Sequence, residues 1–147
     1  MDIEVIKKLI RKYQSGHTDF VRQAEKAKAY YRNETDIMFP PLKEKPLRNA
    51  DNRIPFNFHG LLVNQKASYM FAASPIFDLG NKDANKKLTQ FLGDKYPKVC
   101  KDLCIEASNC TVAWLHVWKD GKGAWKYVVV PAEQIIPVWT SDLEKEL

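Results

Sequence analysis

The chain lacks any apolar run long enough to cross a bilayer. A membrane-spanning helix needs about 20 apolar residues. The most apolar stretch, from Gly60 to Ala73, is shorter and carries Lys66 in its middle. The first residues, MDIEVIKKLIRKYQ, are charged and amphipathic and lack the apolar segment and cleavage site of a signal peptide. We therefore expect neither a membrane anchor nor a secretory leader.

Cysteine is scarce, with three residues in the chain. An odd number of cysteines without a leader argues against a disulfide framework and favours a reducing compartment. Cys100 and Cys104 would share one face of a helix, and Cys110 and His116 follow, so a zinc site made from these four is the alternative. Paired CxxC motifs are absent, however, and free cysteine is among the most often buried residue types. We predict buried thiols and no metal.

Motifs that carry chemistry are also lacking. The sequence contains no GxxxxGK[ST], GxSxG, HExxH or GxGxxG pattern. Its three histidines are far apart: His17 is predicted in an exposed turn, His59 near a helix start, and His116 in the core, where it alternates with tryptophan on a strand. The aspartates show no spacing typical of a catalytic carboxylate pair. We predict no enzymatic activity, no catalytic residue and no cofactor.

The composition that remains is that of an ordinary globular domain. Of the 147 residues, 45% are hydrophobic, 28% charged and 12% aromatic, which is enough to build one core. The net charge of +5 permits an acidic partner without requiring one. Basic residues lie in mixed-sign patches that are typical of solvated helix faces. A small basic nucleic-acid-binding module remains the alternative function, and a steep salt dependence of DNA affinity would mark it.

The first 57 residues divide into a segment with helical spacing and a segment rich in proline. Residues 2–14 and 19–33 each place apolar side chains at helical spacing, with Gly16 between them. They predict a helical hairpin over residues 1–33. Residues 34–57 contain four prolines and predict a long loop. Long loops inside compact domains are functional or wrap a partner, or else they are mobile surface connections, and both readings stay open here.

The remaining residues, 58–147, predict an α+β core. A helix from Phe58 to Ala73, capped by Asn57, is apolar over much of its circumference, so we expect it to be covered on more than one side. The segment IFDLG predicts a short strand. Helices are expected over residues 81–95 and 97–107, where Leu, Val and Ile recur at helical spacing.

A β-hairpin is predicted near the end of the chain. TVAWLHVW and WKYVVV flank an Asp-Gly turn, and the first strand is apolar on both faces, so we expect both faces to be covered. A third strand is predicted over residues 135–139, and Ser141 would cap a further helix. The expected fold is a single α+β domain in which the central apolar helix packs on this small antiparallel hairpin.

Six residues are the candidate core or interface of this arrangement. We predict that four of them lie close together and are largely buried, namely Leu62, Tyr69, Trp114 and Val128. The other two, Met70 and Trp118, belong to the same helix and hairpin.

Three segments, in their order along the chain, resemble one family. They are AYYRNETDI, then NRIPFNFHGLLVNQKASYMFAASPIF, then TVAWLHVWKDGKGAWKYVVVPAEQIIPVW. Together they resemble the N-terminal portion of the portal proteins of tailed bacteriophages, in the group common in long-tailed phages of Gram-positive hosts. The chain departs from the family where Ala73 and the pair Asn109-Cys110 stand in place of glycine. The resemblance implies a wing-like α/β region and a fragment of a longer subunit.

The resemblance also implies a function and partners. Portal proteins form a homo-oligomeric ring, typically of twelve subunits, at one vertex of the capsid, through which double-stranded DNA is packaged and ejected. The ring docks terminase, scaffold and head-tail adaptor proteins, and it has no membrane partner. The implied location is the virion, with assembly in the host cytoplasm. The family has no catalytic group in this region, so the implied role is structural.

Overall fold

A computed structural model describes residues 3–38 and 53–138 of the chain. Four helices precede a two-stranded antiparallel sheet, which confirms the predicted α+β class. The helices are α1 (Ile3–Tyr31), α2 (Phe58–Met70), α3 (Lys82–Leu92) and α4 (Tyr96–Cys110). The strands are β1 (Trp114–Lys119) and β2 (Trp125–Val130), and short 3₁₀ helices lie at Asp36–Met38 and Ala132–Gln134. None of the helices among these residues is long and apolar enough to cross a membrane.

The predicted N-terminal helical hairpin is wrong, because α1 is one continuous helix of 29 residues. Gly16 lies inside it. A glycine in a helix interior costs only about 1 kcal/mol relative to alanine, which the strong helix formers on either side offset. The Thr18 hydroxyl donates to the carbonyl of Gln14, one turn earlier, at 2.9 Å, as a threonine inside a continuous helix can. Of the predicted loop over residues 34–57, positions 39–52 lie outside the described residues.

Asn57 starts α2, as predicted. Its Oδ1 accepts a hydrogen bond from the Gly60 N–H at 2.8 Å, and its Nδ2 donates to the carbonyl of Tyr31 at 3.1 Å. A Cβ added at Gly60 would lie only 2.6 Å from the Asn57 side chain. The cap therefore requires glycine at this position, and it ties the start of α2 to the end of α1. The helix ends at Met70, three residues before the predicted Ala73.

The expected packing of the central helix on the hairpin is wrong. Helix α2 lies mainly against α4, with a smaller contact to α1. Its buried residues are small and occupy one face: Gly60, Val63 and Ala67. Because these side chains are short, α2 can approach α4 closely. At the edge of this contact, His59 Nε2 lies 2.8 Å from Oδ1 of the buried Asn109 on α4.

The segment between α2 and α3 is not the predicted strand. Asp78 Oδ1 accepts hydrogen bonds from the Gly80 N–H and from Asn85 Nδ2, which folds the segment into a turn. Asn81 then caps α3 by accepting from two backbone N–H groups at its start. The helices predicted over residues 81–95 and 97–107 are confirmed in α3 and α4, but α3 already ends at Leu92 and α4 continues to Cys110.

The hairpin forms as predicted, with Trp114 opposite Val130 and Lys119 opposite Trp125. Asp120 closes its turn by accepting from the N–H groups of Lys122 and Ala124. No strand occurs over residues 135–138, so the predicted third strand is absent as far as the described residues extend. Position 139 and the predicted helix after Ser141 lie outside them.

The hairpin is covered less than predicted. One face contacts α3 and α4 through aromatic rings: Phe91 lies against Trp125 and Tyr127, and Tyr96 lies against Tyr127. The Tyr127 hydroxyl also donates to the Leu92 carbonyl. The opposite face is exposed over most of its length. The prediction of a strand covered on both faces is therefore wrong for the part of the chain that the structure describes.

The buried apolar side chains among the described residues are small, and besides Val63, Ala67 and Cys100 they form one cluster. Ala24 of α1, Cys110 of α4 and Ala132 of the second 3₁₀ helix contact one another. Three partly buried side chains pack around them: Phe20, Val112 and Trp114. The described residues thus fold around a thin core of small side chains, while many large apolar side chains stay at the surface.

Candidate functional site

An exposed apolar surface covers the outer side of α2. We call it the α2 surface and define it by Phe58, Leu61, Leu62 and Tyr69. All four are more than half exposed, and Tyr69 reaches 87%. Monomeric proteins seldom expose contiguous apolar patches of this kind, and such patches mark interaction sites. The α2 surface is therefore the best candidate for the functional site of the described residues.

The sequence of α2 explains which side faces out. At 3.6 residues per turn, Gly60, Val63 and Ala67 fall on one side, and Phe58, Leu62 and Tyr69 fall on the opposite side. Both sides are apolar, so hydrophobicity alone does not select between them. The side with small residues packs on α4 because it allows the closer approach, and the large side chains are left outside.

Neighbouring residues extend the α2 surface at the start of the helix. Ile54 and Phe56 precede α2 and are exposed, and the Phe56 and Phe58 ring centroids lie 5.7 Å apart. The segment before α2 therefore enlarges the patch rather than covers it.

The six predicted core or interface residues are not brought together as one core. Leu62, Tyr69 and Met70 lie on α2 and are exposed. Trp118 and Val128 lie on the hairpin and are also exposed. The prediction that Leu62, Tyr69 and Val128 are buried with Trp114 is wrong. The physical reason is that α2 packs by its small side, on α4 instead of on the hairpin.

Trp114 is the exception among the six, because it is half-buried and packs against the core cluster. Two further residues of the same hairpin face, His116 and Trp118, form an exposed pair of rings. His116 stacks on Trp118, with ring centroids 5.1 Å apart, and Val128 lies opposite His116 in the register. The prediction of a core histidine at position 116 is therefore wrong, since its side chain is exposed. Whether the exposed members of the six form an interface stays a prediction.

A second feature is a partly buried cluster of charges that joins three elements. The Lys28 ammonium on α1 lies 2.7 Å from Glu106 Oε1 on α4, and 2.6 Å from Glu133 Oε2 in the second 3₁₀ helix. Side-chain exposure is 18% for Lys28, 16% for Glu106 and 25% for Glu133. Glu106 Oε1 also accepts from the Ala132 N–H at 3.0 Å. We call these three side chains the Lys28 cluster.

Burial and hydrogen bonding shift the pKa values of Lys28 and Glu133 in opposite directions. Burial lowers the pKa of Lys28, but hydrogen bonds to Glu106 and Glu133 outweigh it, so the pKa lies above the ordinary lysine value. Burial raises the pKa of Glu133, but the hydrogen bond from Lys28 leaves this pKa below the ordinary glutamate value. Both groups are thus held in their charged forms at neutral pH.

Three side chains at the Lys28 cluster could act as metal ligands, and they are the one such group among the described residues: Glu106, Cys110 and Glu133. Their ligand atoms all lie within 4.8 Å of one another. The Lys28 ammonium already forms ion pairs with both carboxylates. Burial, together with the nearby Glu106 charge, raises the pKa of Cys110 to about 11, whereas a metal binds the thiolate. The chemistry of these side chains fits an ion-pair cluster better than a metal site.

The four residues of the alternative zinc site do not meet within the described part of the chain. His116 is exposed on β1, and Cys104 contacts Met70 of α2, with its Sγ 3.8 Å from the Met70 sulfur. The prediction of buried thiols is confirmed for Cys100 and Cys110, while Cys104 is half-buried.

A groove of about 410 Å³ lies between the middle of α1 and residues 135–137. Its walls are mainly apolar, with Tyr13 and Phe20 on one side and Ile135 and Ile136 on the other. His17 is among the lining residues and stacks on Phe20, with ring centroids 6.2 Å apart. The lining contains no carboxylate or thiol to form an acid–base pair with this imidazole.

Sequence reasoning missed the Lys28 cluster. The sequence does indicate that Lys28 is partly buried, because it follows Ala24 by four residues and so lies on the buried face of α1. A lysine on such a face needs a carboxylate partner. Neither Glu106 nor Glu133 carries a comparable signal, because their distances from Lys28 in sequence, 78 and 105 residues, are bridged only by the tertiary fold.

Residues 10–147 match the family described as "Phage portal protein, SPP1 Gp6-like". The chain belongs to the phage portal protein family. It is 42% identical over 163 aligned residues to a portal protein of Clostridium phage phiCD119, an alignment that covers all of this chain and 35% of that protein. It is 25% identical over 98 residues to a portal protein of Bacillus phage SPP1, covering 67% of this chain and 20% of that protein. The chain therefore spans about a third of the phiCD119 portal protein, and the resemblance inferred from the three segments is confirmed.

Replacing Lys28 by methionine should destabilise the portal chain by about 3 kcal/mol, because it leaves two neighbouring carboxylates partly buried without their cation. The matched control is Lys98→Met. Lys98 pairs with Asp102 at the surface, where its side chain is 81% exposed, and exposed pairs contribute well under about 1 kcal/mol. Urea unfolding of both variants measures the difference. Equal stability of the two variants would contradict a stabilising role for the cluster.

The stability difference between wild type and Lys28→Met should also depend on pH at both extremes. The lowered pKa of Glu133 makes its contribution complete above the ordinary glutamate value, about 4.3, and lost as the pH falls through the lower folded value. The raised pKa of Lys28 makes its contribution complete below about 10.4 and lost as the pH rises through the higher folded value. Urea titrations across pH should give a plateau near neutrality, and a steep change there would contradict these directions.

Proposed function

We propose that this chain acts as the N-terminal part of a portal subunit, a structural component of the ring at the capsid vertex through which phage DNA is packaged and ejected. The family match over residues 10–147 supports the assignment. In this proposal the 147 residues form one α+β unit of a longer subunit, as the 35% coverage of the phiCD119 portal protein favours.

The exposed α2 surface is the observation that carries the proposal. Leu62 and Tyr69 are 63% and 87% exposed in the isolated chain, and burying a large apolar side chain is worth roughly 1.5–3 kcal/mol. A subunit that works alone has little use for such a surface, whereas an assembling subunit gains stability by covering it. We propose that the α2 surface becomes buried in the assembled ring.

The partners of the assembly follow from the family assignment. We propose that the complete ring docks terminase and scaffold proteins during packaging and head-tail adaptor proteins afterwards, and that double-stranded DNA passes through its channel. The proposed location is the virion, with assembly in the host cytoplasm. The role of this part of the subunit is packing and contact, and it supplies no catalytic group.

A small basic nucleic-acid-binding module is the second candidate function, favoured by the net charge of +5. The positions of the charges weaken it. Many cations are paired with carboxylates, among them Lys28, Arg22 and Lys98, and paired cations release fewer counterions from DNA.

The test uses complete portal subunits that carry this chain, in wild-type form and with Leu62→Lys. We expect the wild type to form closed rings by light scattering and electron microscopy. Leu62→Lys should lower the yield of rings, because it places a charge in a surface that assembly desolvates. The control is Gln90→Lys at an exposed position of α3, which should assemble normally. Monomeric wild-type subunits that bind DNA with a steep salt dependence would refute the proposal.

A further inference from the structure

One edge of the β-hairpin carries backbone groups that point away from the partner strand. In an antiparallel pair, every second residue exchanges hydrogen bonds with the partner strand, and the residues between direct their N–H and C=O groups outward. Asp120 donates to the Ala124 carbonyl at 2.8 Å where the strands meet the turn, and the register continues from there without interruption. Counting in steps of two from this bond, Leu115 and Val117 direct their backbone groups to the outer edge of β1.

The outer edge of β1 has no backbone partner within the described part of the chain. Strand β1 packs mainly on β2, and no backbone hydrogen bond joins Leu115 or Val117 to another described element. Native proteins often protect such an edge with a proline or a charged side chain. The stretch from Trp114 to Trp118, WLHVW, contains neither proline nor Asp, Glu, Lys or Arg. The edge is therefore open to pairing with a further strand.

A mainly apolar hollow of about 620 Å³ lies beside this open edge, between α3 and the hairpin. Leu88 and Phe91 line it on α3, and Val117 and Trp125 line it on the sheet. Leu115 and Val117 lie on the same face of β1 and are 38% and 45% exposed. Directly opposite residues of two paired strands share one face of the sheet. A residue placed beside Val117 by a further strand would therefore direct its side chain into the hollow.

We propose that the open edge of β1 pairs with a third strand supplied by the remaining part of the same subunit. This inference rests on the proposed function, in which the chain is one part of a longer portal subunit. The alignment with the phiCD119 portal protein covers 35% of that protein, so the larger part of such a subunit lies outside this chain. A strand tethered to the same chain pairs without the entropic cost of bringing two molecules together.

The hollow also sets the chemistry of the third strand. Its walls next to the edge are the side chains of Leu88, Phe91, Val117 and Trp125. The third strand should therefore carry apolar residues at alternate positions, on the side that faces α3. Burial of these side chains adds to the backbone hydrogen bonds that the outward groups of β1 gain.

Amide hydrogen exchange tests the pairing, in the 147-residue chain and in the complete portal subunit that carries it. In the 147-residue chain the amides of Leu115 and Val117 should exchange quickly, while those of His116 and Trp118, which face β2, should exchange slowly. In the complete subunit Leu115 and Val117 should exchange at least about tenfold more slowly, because the third strand accepts from them. Exchange that stays equally fast at these two amides would overturn the inference.

A photo-cross-linker identifies the occupant of the edge. A benzophenone analogue of phenylalanine replaces Val117 in the complete subunit, and the control carries the same analogue at Gln90, an exposed position of α3. After illumination, the cross-linked sites are mapped by mass spectrometry. Adducts from position 117, but not from position 90, should form with one segment of the same chain beyond position 147. Adducts only between chains, or only within the 147 residues, would overturn the inference.

The outcomes separate this inference from the proposed function. Complete subunits that show the protected amides and the same-chain adducts but form no rings would overturn the proposed function and leave the third strand in place. Rings whose subunits lack the protection or the adducts would overturn the third strand alone.

Discussion

The rest of the structure depends on which side of α2 packs against α4. The helix is apolar on two opposite sides, and its small side, Gly60, Val63 and Ala67, makes the contact inside the chain. Close approach of the two helix backbones is possible only through residues of this size. Packing by the small side leaves Leu62 and Tyr69 exposed to solvent. An interior contact thus creates the exterior surface on which assembly is proposed to act.

The Lys28 cluster adds a second contact to α4. Its ion pairs link α1, α4 and the second 3₁₀ helix next to the cluster of Ala24, Cys110 and Ala132. Fully buried apolar side chains in the described residues are few and small. Ion pairs and helix caps therefore also hold the helices in their relative positions. Burial gained in the proposed assembly would lessen the need for a large internal core.

Local features of this fold follow from the sequence, and long-range packing does not. The Asp-Gly turn and the cap at Asn57 each depend on neighbours in sequence, and the structure has them as expected. The helix break predicted at Gly16 does not occur, because the free-energy cost of one glycine is small compared with the helix propensity of the residues around it. The prediction from periodicity that the side of α2 with Leu62 and Tyr69 is buried is wrong, since the buried side depends on residue size relative to a partner distant in sequence. The order of three segments identified the family, although each segment alone is degenerate.

The most direct test of the account compares two leucine substitutions on opposite sides of α2, measured as free energies of unfolding of the 147-residue chain. Ala67→Leu should destabilise the chain by about 1–3 kcal/mol, because Ala67 is fully buried against α4 and the added atoms overpack the contact. Gln65→Leu lies on the outer side and should change stability by less than about 0.5 kcal/mol. The reverse order, with Gln65→Leu costly and Ala67→Leu tolerated, would mean that α2 packs by its large side, and would contradict the account.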